Sequence, residues 1–134
     1  MPIDHGQLAC RWLDEVWNKR NDAFIDEVMV DDAVAHSDGW HDLRGKTAFR
    51  KFRDDIFATF PQLRITPEQT LADGNDAVVR WRVEATPKGS PSSVSFWGTT
   101  WFRFDNGRLL EGWDAWNEDD MGRKLQGGGL RARV

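Results

Sequence analysis

Cysteine is almost missing from this chain. Cys10 is the single one in 134 residues, so no intramolecular disulfide can form, and a reducing, cytoplasmic compartment is expected. Tyrosine is missing altogether. No apolar run approaches the roughly 20 residues that a membrane-spanning helix needs. The opening Met1-Pro2-Ile3-Asp4-His5 lacks the basic stretch and apolar block of a secretory leader. Neither a His-Glu-x-x-His pattern nor a Cys pair occurs, so no metal site is expected. Positive charge is not in excess. Lys and Arg number 18 against 22 Asp and Glu, a formal net charge of −4, whereas a nucleic-acid binder needs a basic footprint. With 40% hydrophobic and 30% charged residues and no repeats, the chain reads as one soluble domain long enough for a real core.

Aromatic residues are what the chain has in excess: 8 Trp and 8 Phe. Trp clusters line cores, pockets and interfaces, and so many are not needed for folding alone. The first half reads as helices. Leu8, Trp12 and Val16 form one i, i+4 row, beside Ala9, Leu13 and Trp17, with Asp4 and Gln7 as a capping box. Asn21 and Asp22 offer caps for a short helix carrying Phe24, Ile25 and Val28. Residues 33–36 read as strand or loop. A third helix is predicted from about Thr47 to Phe60 on the stripe Phe49, Phe52, Ile56 and Phe60, and Pro61 stops it.

The second half reads as strands. Ala77, Val79, Trp81, Val83 and Ala85 alternate with Val78, Arg80, Arg82 and Glu84. Asp73 to Asp76 is a turn, and Asn106-Gly107 joins a long strand over 94–104 to a return strand over 109–117. A short helix over 118–125 follows. Helices first and an antiparallel meander afterwards give an α+β class, with a pocket left between three helices and the sheet.

Several segments together resemble a known family. They are the Trp-bearing first helix, Asn18 to Asp22, Val34-Ala35-His36, Gly45-Lys46-Thr47-Ala48-Phe49, Phe60-Pro61, and Phe102 to Leu109 leading into Glu111-Gly112-Trp113-Asp114. This set is similar to the SnoaL-like polyketide cyclases of the nuclear transport factor 2-like superfamily. The resemblance implies a cone-shaped α+β barrel, with three N-terminal helices on a curved, mostly antiparallel sheet around an apolar pocket. It implies a single domain, taken as 1–126, and a homodimer formed through the outer sheet face; Gly127-Gly128-Gly129 and the residues after it, 127–134, read as a flexible C-terminal tail. It implies no cofactor. In the cyclases an Asp of the last strand removes a proton beside a carbonyl, and that Asp maps onto Asp114. Their accompanying His maps onto Thr100, which donates a hydrogen bond but cannot shuttle a proton at neutral pH.

On this reading Asp114 and His36 are the candidate catalytic residues. Thr100, Trp116, Trp81, Trp97, Trp40 and Trp12 are the candidate substrate-binding residues, with Trp17 a further candidate wall. The expected partner is a small hydrophobic or aromatic molecule, not nucleic acid or membrane. Leu110, Gly112 and Trp116 are expected on the face of Asp114, where apolar surroundings raise a carboxyl pKa toward that of a working base. Two hairpin registers remain open. A two-residue Asn106-Gly107 turn puts Thr99 opposite Asp114. A glycine-bulged turn puts Gly98 there and groups Asp114 with Thr100 and Phe102, and this is the expected one. Arg80, Arg82 and Glu84 read as the outer sheet face. The alternatives to an enzyme are a non-catalytic binder using the same pocket and an interaction module with outward Trp.

Overall fold

The computed structural model describes residues 3–37 and 41–116. Trp40, the helix expected over 118–125 and the tail expected over 127–134 lie outside the described residues.

Asp4 starts the first helix. Its carboxylate accepts from the Gln7 backbone N–H at 3.0 Å, and α1 follows as His5–Leu13. The expected stripe is buried, with Ala9, Trp12, Leu13 and Val16 all in the core. A wider π-helical turn, Asp14–Asn18, extends the helix. This turn delivers the Asn18 amide to the next layer. Asn18 Nδ2 donates to the Ile65 carbonyl at 2.9 Å, and Asn18 Oδ1 accepts from the Ile65 N–H at 2.8 Å. One side chain thereby satisfies backbone groups that an edge strand leaves without a ladder partner.

Helix α2 spans Asp22–Val28. The side chain of Asn21 does not cap it as expected; its amide donates to Glu15 Oε1 at 3.1 Å instead. The segment left open between strand and loop is strand β1, Met29–Ser37. A two-residue strand β2, Leu43–Arg44, leads into α3, Gly45–Thr59, which starts on Gly45 with φ +86° and ends at Phe60 before Pro61. Four strands complete the chain: β3 Gln62–Asp73, β4 Asp76–Thr86, β5 Val94–Asp105 and β6 Arg108–Trp116.

These strands form one six-stranded sheet in the order β2-β1-β6-β5-β4-β3. Only the β1–β6 pair is parallel. The architecture is the expected α+β one, with three helices on a mixed sheet, but the end strands β2 and β3 do not pair, so the barrel is not closed. No helix among the described residues is long and apolar enough to cross a membrane. At one end of the sheet the first helix is tied to both hairpins. His5 Nε2 accepts from the Gly107 N–H at 3.3 Å, which leaves Nδ1–H for the Gly74 carbonyl at 2.8 Å. The ring also stacks on Phe104.

The hairpin before Asp114 follows neither expected register. Asn106 and Gly107 both have positive φ, 50° and 82°, the signature of a two-residue primed turn, and Asp105 pairs with Arg108. Phe104 then pairs with Leu109, but Arg103 pairs with Glu111. Leu110 is the extra residue of a bulge, placed beyond the turn and not in it. The slip puts Thr100 opposite Asp114; Thr99 faces Ala115 and Gly98 faces Trp116. The expected grouping of Asp114 with Thr100 is therefore present, by a different route. The bulge also changes the phase of β6, so Leu109, not Leu110, points into the core.

Candidate active site

Between the helices and the inner face of the sheet lies a cavity of about 270 Å³. Trp12 and Trp17 close it from the first helix and its π turn, and Phe49, Phe52 and Ile56 from α3. Trp81, Phe96, Phe102 and Trp116 line it from the sheet. The helical Phe stripe was legible as core, and it is also cavity wall. Phe96 was not singled out from the sequence, although its strand alternation with Gly98, Thr100 and Phe102 carries the signal. Apart from the tryptophans, the polar residues among the described lining are Thr59, Thr100, Glu111 and Asp114.

Three residues on three neighbouring strands form a hydrogen-bonded chain inside this cavity. Trp81 Nε1 donates to Thr100 Oγ1 at 2.9 Å, and Thr100 Oγ1 donates to Asp114 Oδ1 at 2.5 Å. An indole N–H can only donate, so the hydroxyl accepts from it and keeps its proton for the carboxylate. Asp114 is half-buried and lines the cavity. Burial pushes its carboxyl up to about 6, and the Thr100 hydrogen bond draws it partly back. Among the described residues, no neighbouring cation contributes to its titration. The result is a carboxylate mostly ionised at neutral pH yet far more basic than an ordinary Asp.

The structure does not bring His36 to Asp114. In the parallel β1–β6 pair, His36 is level with Trp113 and Ser37 with Asp114. Side chains alternate along a strand, so His36 shares the outer face with Trp113, on whose ring it stacks, while Asp114 points inward. His36 Nδ1 lies 2.9 Å from Asp42 Oδ1 and Nε2 lies 2.6 Å from Glu111 Oε2. Two acceptors call for two ring N–H groups. The Glu111 hydrogen bond, with Asp42 beside it, raises the His36 pKa above its ordinary value. Glu111 borders the cavity, but its carboxylate is held by His36 and has Arg103 at 4.0 Å.

Trp97 is likewise not a wall of this cavity. It sits on the opposite face of β5, 43% exposed, and donates Nε1 to Glu68 Oε1 at 2.9 Å. Arg80 and Arg82 reach the same Glu68, and Arg82 also reaches Glu84, which is the outer-face reading expected of them. Trp12, Trp81, Trp116 and Thr100 are brought together around Asp114's cavity. Among the described residues, no group of three or more His, Cys, Asp or Glu is placed to hold a metal ion.

Solved structures show the same fold. A protein from Jannaschia sp. CCS1, named as a SnoaL-like polyketide cyclase, is 19% identical with a TM-score of 0.83, over 93% of this chain and 94% of that one. A ketosteroid isomerase-like protein from Catenulispora acidiphila, in complex with trimethylamine, is 14% identical with a TM-score of 0.80, over 94% and 95%. An LEH-like epoxide hydrolase from M. tuberculosis is 20% identical with a TM-score of 0.74, over 93% and 94%. No curated protein matches the chain. At such identities these likenesses speak for the fold, which hosts several chemistries. The SnoaL-like domain family itself matches residues 9–112, most of the chain, and the protein belongs to that family.

Proposed function

We propose that this protein is a cofactor-independent enzyme that removes an acidic C–H proton beside the carbonyl of a small, flat, apolar or aromatic ketone. Asp114 is the base. The single observation that carries the reading is its carboxyl, set among aromatic walls and pushed up to about 6 by burial, with no cation beside it among the described residues. A general base works best with a pKa close to the operating pH. The proton passes from carbon to the Asp114 carboxylate, and the carbon's electron pair moves onto the carbonyl oxygen as an enolate. Return of the proton at another carbon gives an isomerase; attack of the carbanion on a second carbonyl gives a ring-closing aldol step.

The enolate oxygen needs a hydrogen-bond donor. The Thr100 proton is committed to Asp114 and the Trp81 N–H to Thr100. Trp116 lines the cavity two residues along β6 from Asp114, and its indole N–H is the candidate donor. Asp114→Asn keeps the shape and removes the base. We expect kcat to fall by about a hundredfold or more on an enolisable ketone that the parent turns over. Turnover unchanged in that variant excludes Asp114 from the chemistry.

A second reading rests on His36, which lies on the far face of the sheet. With no imidazole beside Asp114, the same cavity suits a carrier or sensor of a small hydrophobic ligand. Tight binding of such a ligand without chemical change supports that reading. The homodimer is part of the proposal. Trp97 and Trp101, 43% and 45% exposed on the outer sheet face, offer apolar area for a second copy, and sedimentation of the full chain measures it.

A further inference from the structure

The Asp114 carboxylate does not stand alone in the cavity wall, and its support has a definite construction. Thr100 is 7% exposed and Trp81 3% exposed, so neither polar group has bulk water as an alternative partner. Trp81 sits directly across from Gly98 in the β4–β5 pair. A Cβ at Gly98 would lie 2.3 Å from Trp81 Cη2 and 2.5 Å from Cζ2, closer than real Cβ atoms come. The indole therefore lies over the bare backbone of Gly98 and reaches Thr100, two residues along β5. Trp116, paired with Gly98 on the other side, meets the Trp81 ring edge-on at 6.1 Å. Gly98 and Trp116 together leave the Trp81 indole little freedom. Thr100 Oγ1 then receives one hydrogen bond and gives one, both to fixed atoms.

We propose that Trp81 and Thr100 are positioning residues for Asp114. The indole N–H orients the Thr100 hydroxyl, and the hydroxyl holds Oδ1 so that Oδ2 is presented to the bound molecule. Oδ2 has no hydrogen-bond partner among the described residues. Oδ2 is the oxygen the arrangement leaves for a substrate proton. The inference deepens the proton-abstraction reading and rests on it for its purpose, but the arrangement itself is testable without turnover. A hydrogen bond to the ionised form of an acid lowers its pKa, and a donor polarised by a second donor lowers it more.

The test is direct titration of Asp114 by carboxyl-carbon NMR in the full chain, with Asp114→Asn identifying the resonance. Thr100→Val keeps the volume and removes the hydroxyl; the titration midpoint should move up by about one unit. Thr100→Ser keeps the hydroxyl and should return it close to the parent. Trp81→Phe removes the N–H and should move the midpoint up by a few tenths of a unit. A midpoint unmoved in folded Thr100→Val overturns the proposal. A shift there with none in Trp81→Phe removes Trp81 from it and overturns the relay. A merely structural role would lower stability in all three variants and leave the midpoint where it was. If the midpoints shift as expected but no enolisable ketone is ever turned over, the relay stands and the proton-abstraction reading fails.

Discussion

Two aspartates on opposite faces of one sheet carry opposite shifts. Asp114 points into the cavity from β6, and burial raises its carboxyl to about 6. Asp76 begins β4 on the outer face, across from Arg103, whose guanidinium reaches it at 3.1 and 3.3 Å and lowers its carboxyl below the ordinary range. Two other outer-face acids also have charge partners. Glu68 takes Arg80 and Arg82, and Glu111 takes His36. Among the described residues, the inner face gives its aspartate one hydroxyl and no cation. An acid with a charge partner is a structural group and stays ionised; an acid without one in an apolar wall is poised to take a proton.

The contrast is tested most strongly through stability. The folded-state pKa of Asp114 lies above its unfolded value of about 4, so the folded protein binds the proton more tightly, and stability falls as pH rises from about 4 to about 6. At pH 7.5 the cost is as much as about 3 kcal/mol, less what water in the cavity recovers. Asp114→Asn should therefore unfold at higher denaturant than the parent at pH 7.5, and the gain should fade toward pH 4. An equal gain at both pH values would mean that Asp114 is not destabilised by its charge.

Next in size is the glycine that makes room for Trp81. Gly98→Ala should cost about 1–3 kcal/mol of overpacking. Its chemical denaturation midpoint should drop, and the buried indole's fluorescence should shift. A silent Gly98→Ala would mean that the ring moves aside freely. Two tryptophans on opposite faces give a third test. Trp116→Ala removes cavity wall and should weaken binding of an apolar ligand about tenfold. Trp97→Ala, on the outer face, should leave that affinity unchanged, as isothermal titration would measure. The smallest effect belongs to His36. Its folded pKa is raised, so its contribution is fully present below about pH 6.5 and is lost as pH rises through the raised value. His36→Gln should cost about 0.5 kcal/mol at pH 5.5 and less at pH 9.

Local pattern was enough where one element carries its own periodicity. The alternation from Ala77 to Ala85 is seen intact, with Ala77, Val79, Trp81, Val83 and Ala85 all buried. Asp4 caps the first helix, and α3 ends before Pro61, as their sequences indicate. The β5–β6 hairpin was legible as a hairpin but not in register, because nothing in Arg108-Leu109-Leu110-Glu111 marks Leu110 as the residue to be bulged. His36 was assigned to the site by its place in a family pattern. Its true neighbour, Glu111, is 75 residues away, and the parallel pairing that joins them has no local signature.

The sequence by itself determined the class of the domain, its elements, its apolar faces, and Asp114 as the acid to watch. The class, the elements and the apolar faces follow from side-chain period and turn chemistry, which act over a few residues; Asp114 follows from its place in the family pattern. Only the tertiary structure decided what Asp114 touches. A single bulged residue chose Thr100 over Thr99 or Gly98, strand alternation sent His36 and Trp97 to the other face, and a glycine let the Trp81 indole reach the hydroxyl. Those outcomes depend on register across strands, where a slip of one residue exchanges every neighbour.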